Sequence, residues 1–368
     1  MANKKALVTA ATGFMGGSFL AQLLASSDPR IKELSFSTLV RKQEQADVLA
    51  AQGVNAILFF GLDDTDFLRR VASEHDIVIH SAHGFHTASS KALIEGLAER
   101  KKATGQDVFY IQTSGTSNLG DFPITKRHVH PPGRVFRDRD ENIYRYMVSR
   151  EAETPYGQRT TDVAVVETGK ATGVKTYIVM SPIVYGAGLG KSFKNQSFKN
   201  RSFHGPFMIQ SALAKGQAVY VGDGAEEWGH VHIEDLAAFY EILVSKLLAG
   251  EELPEGEHGV YFASSGTHTW KELAEATGRA GYEVGALKTP EAVSVPPTAE
   301  VFVKLLGGFG TPEQAAMLAE VGFASRAVTD AQLARSLGWK PRKTDEDWWA
   351  SIREEFPVIW AQTKAQGQ

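Results

Sequence analysis

Two glycines, Gly13 and Gly16, stand where a short apolar run passes into a helix-like segment, within the stretch TAATGFMG at residues 9–16. Glycines at a strand-to-helix junction let the backbone turn sharply, and they let a diphosphate approach the first N–H groups of the helix. Dinucleotide-binding turns carry three glycines, and Ala10 stands where the first of them is expected. Alanine is the mildest replacement because its side chain is small. The spacing predicts a dinucleotide-binding turn, with a merely structural turn as the alternative. The predicted contacts of this turn are Thr9, Ala11, Thr12, Gly13, Phe14 and Met15.

Two cations, Arg41 and Lys42, follow the second apolar run, Phe36 to Val40. A site that prefers NAD usually carries an acidic side chain at this strand end, where it binds the ribose 2′-hydroxyl. Cations would instead neutralise a 2′-phosphate, so the sequence favours NADP(H) over NAD(H) as the cofactor. NAD stays an alternative, because solvated surface cations are common in proteins.

The ends of the third and fourth apolar runs carry further candidates for cofactor binding. An aspartate just past a strand end, such as Asp63, can accept a hydrogen bond from an adenine amino group or can cap the next helix. Small residues after the fourth strand would leave room for the cofactor. The contacts expected from these two strand ends are Leu62, Asp63, Ser81, Ala82 and His83.

Three histidines, His80, His83 and His86, are spaced by three residues and raise the question of a metal site. A strand that passes into a loop does not bring residues at this spacing onto one face, and no acidic partner lies near them in the sequence. We therefore expect no metal. The chain has no cysteine, which excludes disulfides, thiolate catalysis and cysteine-ligated zinc or iron–sulfur sites.

The composition is that of a globular protein, with 368 residues of which 43% are hydrophobic and 22% charged. The formal net charge of −4 gives no bulk attraction to nucleic acid or to an anionic membrane. The apolar run Ala6 to Ala11 is too short for a secretory signal or a membrane span. We expect a soluble, cytoplasmic protein whose partner is a small molecule, with no nucleic acid and no membrane.

Short apolar runs alternate with helix-like segments over the first 115 residues and again from residue 160. The predicted strands are Ala6–Ala10, Phe36–Val40, Asn55–Phe60, Asp76–His80, Val108–Gln112 and Val174–Met180. The predicted helices are Phe14–Ser26, Gln43–Ala51, Phe67–Ser73, Ser89–Lys102 and Thr160–Lys170, the last ending at a C-cap glycine, Gly173. This alternation predicts an α/β fold with a doubly wound parallel sheet.

Two stretches break the alternation. Residues 121–155 are rich in charge and include three prolines, so we expect a loop region there. Residues 191–204 contain a five-residue repeat that matches neither helix nor strand. An exposed inserted loop is the favoured interpretation of the repeat, and a flap over the substrate pocket or a subunit contact is the alternative.

The chain length suggests about two domains, or one large α/β unit with an appendage. We expect residues 1–181 to form the dinucleotide-binding domain, with residues 228–249 returning to it. Residues 182–227 and 250–368 are expected to form a smaller, mostly helical substrate-binding part. Its last helix is predicted over Asp345 to Lys364.

These motifs together resemble the extended branch of the short-chain dehydrogenase/reductase superfamily. Within that branch, the chain is similar to NAD-dependent epimerase/dehydratase-like proteins that are frequent in filamentous fungi. Besides residues 9–16, the resemblance rests on Tyr110–Thr116, Ser181–Gly186, Val231–Ala237 and Leu337–Pro341. It implies a Rossmann-type sheet and a nicotinamide cofactor. The further cofactor contacts that it implies are Thr113, Pro182, Ile183 and Val184.

In that superfamily, a Ser or Thr after the fifth strand, a Tyr, and a Lys four residues after the Tyr form the catalytic set. The resemblance implies Ser114 and Thr116 for the first role and Tyr156 for proton transfer. Thr160 stands where the lysine is expected, and Arg159 is the cation that could supply the missing charge, in a different geometry. The alternative is that Tyr156 only caps or packs the helix start.

Other sources of the proton stay open at this point. Gly115 could stand at the position in the fifth-strand motif where members of the superfamily carry the catalytic serine. Tyr144 and Tyr146 precede Tyr156 and are weaker candidates for the proton donor. A histidine such as His83, or a water molecule, could also serve.

Three functions fit these residues. The first is an NADP(H)-dependent oxidoreductase that acts on a small carbonyl or hydroxy compound through an atypical Ser/Thr–Tyr site without the usual lysine. The second is a redox-neutral epimerase or dehydratase that holds its cofactor tightly and regenerates it. The third is a non-catalytic sensor or scaffold that binds NADP(H). The resemblance also allows a homodimer formed through helices that flank the sheet.

Overall fold

The computed structural model describes residues 4–190, 201–296 and 311–366 of the chain. Its strands are β1 (Lys5–Val8), β2 (Ser35–Val40), β3 (Asn55–Leu58), β4 (Ile77–His80), β5 (Phe109–Gly115), β6 (Phe136–Arg137), β7 (Lys175–Ser181), β8 (Ile183–Tyr185), β9 (Val219–Val221), β10 (Glu227–His232), β11 (Val260–Phe262), β12 (Gly266–Thr269), β13 (Val293–Val295) and β14 (Thr329–Asp330).

Its helices are α1 (Phe14–Leu24), α2 (Pro29–Lys32), α3 (Gln43–Ala50), α4 (Thr65–Ala72), α5 (Thr87–Thr104), α6 (Ile143–Glu153), α7 (Gly157–Thr172), α8 (His204–Lys215), α9 (Ile233–Leu248), α10 (Trp270–Glu283), α11 (Pro312–Phe323), α12 (Gln332–Ser336) and α13 (Asp345–Gln366). Short 3₁₀ turns follow β5 and precede β11. In the three described ranges, no helix combines the length and the apolar character needed to cross a bilayer.

A seven-stranded parallel sheet in the order β3-β2-β1-β4-β5-β7-β11 forms the centre of the fold. All four residues of β4 are buried, as are six of the seven residues of β5. Strands buried on both faces need apolar side chains at successive positions, which is why the sequence shows continuous runs here. The prediction of an α/β fold with a doubly wound parallel sheet is confirmed.

The helices cover both faces of this sheet. The chain moves outward from β1 to β3 in one direction and from β4 to β7 in the other, so right-handed crossovers place the helices on opposite faces. On one face α1 packs against α9, where the rings of Phe19 and Tyr240 stack with their centroids 3.8 Å apart. On the other face α4, α5 and α7 pack together. The strand order reverses between β1 and β4, and a crevice is expected at their carboxyl ends.

A second apolar core lies beside the sheet. There β8, β10 and β12 form a three-stranded sheet, and β9 pairs with β13. Helices α8, α10, α11 and α13 surround these strands. The large side chains of this core are aromatic and include Phe207, Trp228, Trp270, Phe323 and Trp348.

Helix α6 lies within residues 121–155, so the prediction of a loop region is wrong there. Ile143, Met147 and Arg150 are its buried residues, at the spacing expected of one helix face. Asn142 caps the helix by accepting a hydrogen bond from the Arg145 N–H. Charged residues on the outer face concealed this pattern in the sequence.

The edge strand β11 belongs to the range 250–368, which we expected to form the substrate-binding part. It pairs with β7 instead and completes the main sheet. Trp339 also joins the main core, and its Nε1 donates to the Asp235 carbonyl at 2.8 Å. The division of the chain into domains at residue 250 stays a prediction. The assignment of cofactor and substrate to separate parts stays a prediction.

The structure describes the C-terminal end of α7 and the last part of the repeat at residues 191–204. Gly173 follows α7 with a φ of 71°, so its prediction as the C-cap glycine is confirmed. The repeat, which we expect to form an inserted loop over 191–204, lies outside the described residues from 191 to 200. Its last residue, His204, begins α8.

Gly96 lets α5 approach α4, and we expect Gly96→Ala to destabilise the fold. A Cβ at Gly96 would lie 2.7 Å from Ala72 Cβ and closer still to the Arg69 carbonyl oxygen. The free energy of unfolding should fall by about 1–3 kcal/mol, the usual effect of overpacking, in a denaturant titration. Gly322→Ala in α11 is the matched control, because nothing lies within 4 Å of the added Cβ. Equal effects of the two substitutions would contradict this account.

Candidate functional site

The turn between β1 and α1 brings the helix backbone against the sheet. The Gly13 N–H donates to the Ala10 carbonyl at 2.8 Å, and Gly13 is the N-cap of α1. A Cβ at Gly16 would lie 2.5 Å from the Ala10 carbonyl oxygen and 2.6 Å from Ser81 Oγ, so glycine is required there. Ala10 has a φ of 54°, in the left-handed region that favours glycine. The predicted tight turn is present, and Ala10 adopts a strained conformation within it.

The first turn of α1 is open to an anion. Its N-cap has no capping side chain, and the turn contains no acidic residue. The first N–H groups of a helix have no partner within it, and the helix dipole makes this end positive. Thr12, Phe14 and Met15 are half-buried here, whereas the Ala11 side chain is buried and leaves only its backbone. This uncapped helix N-terminus fits the diphosphate of a dinucleotide.

A buried hydrogen-bond chain joins the ends of β1 and β4. Ser89 Oγ donates to the His86 carbonyl at 2.9 Å, so it accepts from His80 Nε2 at 3.3 Å. His80 Nδ1 then accepts from Thr9 Oγ1 at 3.0 Å, and Thr9 Oγ1 accepts from the Ser81 N–H. Burial lowers the pKa of His80 to about 3, which keeps this ring neutral. The Thr9 hydroxyl therefore holds the turn in place from inside the protein.

Arg41 and Lys42 follow β2 at the protein surface. Lys42 Nζ lies 3.7 Å from Glu44 Oε1, and both side chains are more than half exposed. Arg41 is exposed and makes no hydrogen bond or ion pair with any residue in the described ranges. Its guanidinium is thus available at the strand end where a ribose 2′-substituent is bound in dinucleotide sites.

Asp63 links the end of β3 to the loop after β4. Asp63 Oδ1 accepts from His86 Nε2 at 3.0 Å, while His86 Nδ1 accepts from the Ser89 N–H at 3.1 Å. The second contact places the His86 proton on Nε2. Asp64, and not Asp63, caps α4 by accepting from the Phe67 N–H. Asp63 therefore keeps a solvent-exposed carboxylate at this strand end.

The other residues predicted at these strand ends differ in exposure. Leu62 is half-buried and packs against the main core. Ser81 and Ala82 are half-buried, and Ser81 Oγ donates to the Thr9 carbonyl at 2.8 Å. His83 is exposed, and partial burial nevertheless lowers its pKa. The described residues include no group of three or more side chains placed to hold a metal ion.

Ser114 turns its hydroxyl into the protein. Ser114 Oγ donates to Asp162 Oδ2 at 2.5 Å, and Asn118 Nδ2 donates to the same oxygen at 2.6 Å. Burial raises the pKa of Asp162 to about 8. Thr116 Oγ1 is also buried, and it has no hydrogen-bond partner among the residues that the structure describes. The two hydroxyls predicted for catalysis therefore lie inside the protein.

Tyr156 occupies the N-cap position of α7 and is 5% exposed. Its ring packs edge-on against Phe85, with centroids 5.5 Å apart, and also packs against Phe122. Burial raises the pKa of the Tyr156 phenol, while Ser117 and Arg159 act in the opposite direction. The phenol is therefore neutral near neutral pH, where it can donate a proton.

Arg159 and Thr160 are both held by Glu151 of α6. Arg159 Nε donates to Glu151 Oε2 at 3.0 Å, and Nη1 donates to the Asn118 carbonyl at 2.7 Å. Thr160 Oγ1 donates to the other Glu151 carboxylate oxygen. The Arg159 guanidinium carbon lies 5.8 Å from the centroid of the Tyr156 ring, and its side chain is buried. Arg159 thus brings a positive charge near Tyr156, but its donors are occupied within the protein.

Ser117 and Gln158 also lie near Tyr156, and the sequence did not predict either of them as a site residue. Ser117 Oγ donates to Gln158 Oε1 at 2.7 Å. The Gln158 carboxamide lies between Gly84 and Gly115, where an added Cβ would come within 3.0 Å and 3.1 Å of it. The signal was the pair of glycines after the fourth and fifth strands, which leave space for a side chain from the next helix.

Thr113 and the residues from 182 to 184 contribute side chains to the protein interior. Thr113 Oγ1 pairs with Tyr240 Oη at 2.7 Å. Val184 packs in the main core and Ile183 in the second core. Pro182 is buried as well. Contacts from Thr113, Ile183 and Val184 to a cofactor would therefore come from the backbone.

Comparisons with known proteins point to one family and one fold. The family described as "NAD dependent epimerase/dehydratase family" matches residues 6–254. "Oxidase ucsJ" of Acremonium sp is 28% identical over 357 residues, covering 92% of this chain and 93% of that protein. An uncharacterized protein of Saccharomyces cerevisiae is 26% identical, covering 70% of this chain and 76% of its own length.

Solved structures with the same fold have bound nucleotides. The dTDP-glucose 4,6-dehydratase DesIV of Streptomyces venezuelae, with NAD and TYD bound, matches with a TM-score of 0.61 at 16% identity, covering 95% of this chain and 96% of that one. The UDP-glucose 4-epimerase of Thermus thermophilus, in complex with NAD, matches with a TM-score of 0.57 at 18% identity, covering 96% and 98%. Identities this low establish the fold alone, and the Rossmann-type sheet is confirmed.

Ala10→Gly should stabilise the protein, because glycine adopts a φ of 54° without the steric penalty of a Cβ. We expect the free energy of unfolding to rise by up to about 1 kcal/mol, after the greater freedom of glycine in the unfolded chain is subtracted. Thermal or denaturant unfolding measures this change. Ala11→Gly is the control, since Ala11 lies outside the left-handed region and should lose stability. A similar loss for Ala10→Gly would show that residue 10 is not strained.

Proposed function

Because the chain belongs to the NAD dependent epimerase/dehydratase family, we propose that it is an NADP(H)-dependent oxidoreductase acting on a small carbonyl or hydroxy compound. The family match confirms the resemblance found in the motifs. The observation that carries the proposal is the open N-terminus of α1 at the point where the strand order reverses. The exposed Arg41 at the end of the adjacent strand β2 supports the choice of NADP(H).

The residues around this N-terminus suit each part of a dinucleotide. The backbone amides from Thr12 to Met15 would bind the diphosphate, with the helix dipole adding to the attraction. Arg41 and Lys42 would pair with the 2′-phosphate. Asp63 would accept from the adenine amino group with the carboxylate oxygen that His86 does not use. When bound, NADPH supplies a hydride, and the protein orients the substrate for it.

Tyr156 is the proposed proton donor to the substrate oxygen. Because burial raises the pKa of its phenol, the proton stays on Oη near neutral pH. This favours reduction of a carbonyl, which consumes a phenol proton, over oxidation of an alcohol, which requires a phenolate base. The positive charge of Arg159, 5.8 Å from the ring centroid, would partly offset the phenolate that proton donation leaves behind.

Binding of NADP(H) without turnover is the second candidate function. It is favoured by the burial of Tyr156 and by Thr160, which takes the place of the lysine and donates its hydroxyl proton to Glu151. A protein of this kind would act as a sensor or scaffold. It would share the dinucleotide site with the oxidoreductase but would not depend on the Tyr156 hydroxyl.

Arg41→Ala should weaken NADPH binding about tenfold, because a charge-assisted hydrogen bond contributes roughly 1.5–3 kcal/mol and solvent exposure reduces this. NADH has no 2′-phosphate, so its Kd should not change. Calorimetric titration with each nucleotide measures both effects. Arg353→Ala, which removes an exposed arginine of α13, is the matched control. A wild-type protein that binds NADH more tightly than NADPH would contradict the proposed cofactor.

Tyr156→Phe should lower turnover roughly 10²–10⁴-fold in an assay of NADPH oxidation with a panel of carbonyl compounds, because a positioned proton donor is lost. The Kd of NADPH should stay the same. Tyr282→Phe is the control, since Tyr282 is an exposed tyrosine of α10. Turnover that survives Tyr156→Phe would assign the proton to another donor, and absence of turnover in the wild type would favour the sensor.

A further inference from the structure

The Gln158 carboxamide presents two N–H donors without an acceptor among the residues that the structure describes. Its Oε1 accepts from Ser117 Oγ at 2.7 Å, which orients the amide. Its Nε2 lies beside Gly84, where an added Cβ would come within 3.0 Å. The residue is half-buried and therefore keeps some contact with solvent. An oriented amide with unused donors is suited to bind a ligand hydroxyl or carbonyl group.

This amide lies at the carboxyl ends of β4 and β5. Gly84 belongs to the loop that follows β4, and Gly115 ends β5. The strand end that carries Arg41 lies on the other side of β1. A dinucleotide held by its diphosphate at α1 extends one nucleoside over each half of the sheet. If the adenosine half lies over β2 and β3, then the nicotinamide half lies over β4 and β5, where Gln158 stands.

Arg159 and Thr160, which follow Gln158 in α7, do not offer free donors to a cofactor. The Arg159 guanidinium is buried and donates to Glu151 and to the Asn118 carbonyl. Thr160 donates its hydroxyl proton to Glu151 and has no charge to offer. In the first turn of α7, Gln158 is therefore the side chain whose donors are available to a cofactor.

We infer that the Gln158 carboxamide donates hydrogen bonds to the hydroxyl groups of the nicotinamide ribose and so orients the cofactor. This inference rests on the proposed function, since it requires a dinucleotide at α1. A carboxamide donates hydrogen bonds to hydroxyl groups as an ammonium does, but it carries no charge. Gln158 would therefore position the cofactor without stabilising a phenolate at Tyr156.

The test compares Gln158→Met with the wild type, because methionine keeps the length and volume of glutamine but lacks both donors. Loss of one neutral hydrogen bond predicts roughly three- to tenfold weaker binding of NADPH in a calorimetric titration. The same loss is expected for 2′-phospho-ADP-ribose, which keeps the second ribose but lacks nicotinamide. The Kd of 2′,5′-ADP, which lacks that ribose, should not change. Gln217→Met is the matched control, since Gln217 is also a half-buried glutamine and donates to the Glu291 carbonyl.

The outcomes separate this inference from the proposed function. If Gln158→Met binds all three ligands as the wild type does, the inference is overturned and the dinucleotide site stands. A loss confined to NADPH would assign the amide to the nicotinamide ring and would also overturn it. If the wild type binds none of the three, both proposals fall. Should Gln158→Met not fold, Ser117→Ala releases the same amide and should produce a smaller loss with the same ligand pattern, whereas unchanged binding would count against the inference.

Discussion

The contact between the backbone of α1 and the end of β1 is the constraint on which the rest of the site depends. Gly16 has no Cβ, and a Cβ there would collide with the Ala10 carbonyl and with Ser81. Because the helix can come this close, its positive N-terminus lies at the point where the strand order reverses. The buried chain of hydrogen bonds from Thr9 through His80 to Ser89 then holds the end of β4 in register with this turn. Cofactor and substrate would be placed relative to this one junction.

The corner around Tyr156 is built differently from the catalytic site that the family resemblance implies. The expected lysine is absent, and the nearby arginine is buried in contacts with Glu151 and with backbone carbonyls. Ser114, the expected catalytic serine, donates a hydrogen bond to the buried side chain of Asp162. Ser117 and Gln158, which are hydrogen-bonded to each other at this corner, are both neutral. A corner of neutral groups can orient a cofactor and hold a phenol proton, but it gives little support to a phenolate.

The sequence was most informative where structure depends on near neighbours. The turn at residues 9–16 could be predicted because its glycines and the adjacent apolar run act locally, and buried parallel strands appear as continuous apolar runs. Helix α6 was missed because charged residues occur on its outer face and also, as Arg150, among its buried residues. Strand β11 was missed because it is only three residues long and pairs with β7, which lies far away in the sequence.

The orientation of the catalytic side chains depends on contacts that no local pattern records. Ser114 turns inward because Asp162, 48 residues later in the chain, accepts a hydrogen bond from its hydroxyl group. The Gln158 carboxamide fits between two strand ends because Gly84 and Gly115 leave room for it. The resemblance implies a catalytic tyrosine at Tyr156, but the sequence does not say which hydrogen-bond donors remain unused once the helices are packed.

The central claim is that the opening of α1 holds a diphosphate, and a crystal structure of the protein grown with NADPH tests it most directly. The account predicts diphosphate oxygens within hydrogen-bonding distance, about 2.7–3.2 Å, of backbone nitrogens between Thr12 and Met15. Well-ordered crystals grown at saturating NADPH that show this turn without a diphosphate, or the nucleotide bound elsewhere, would contradict it.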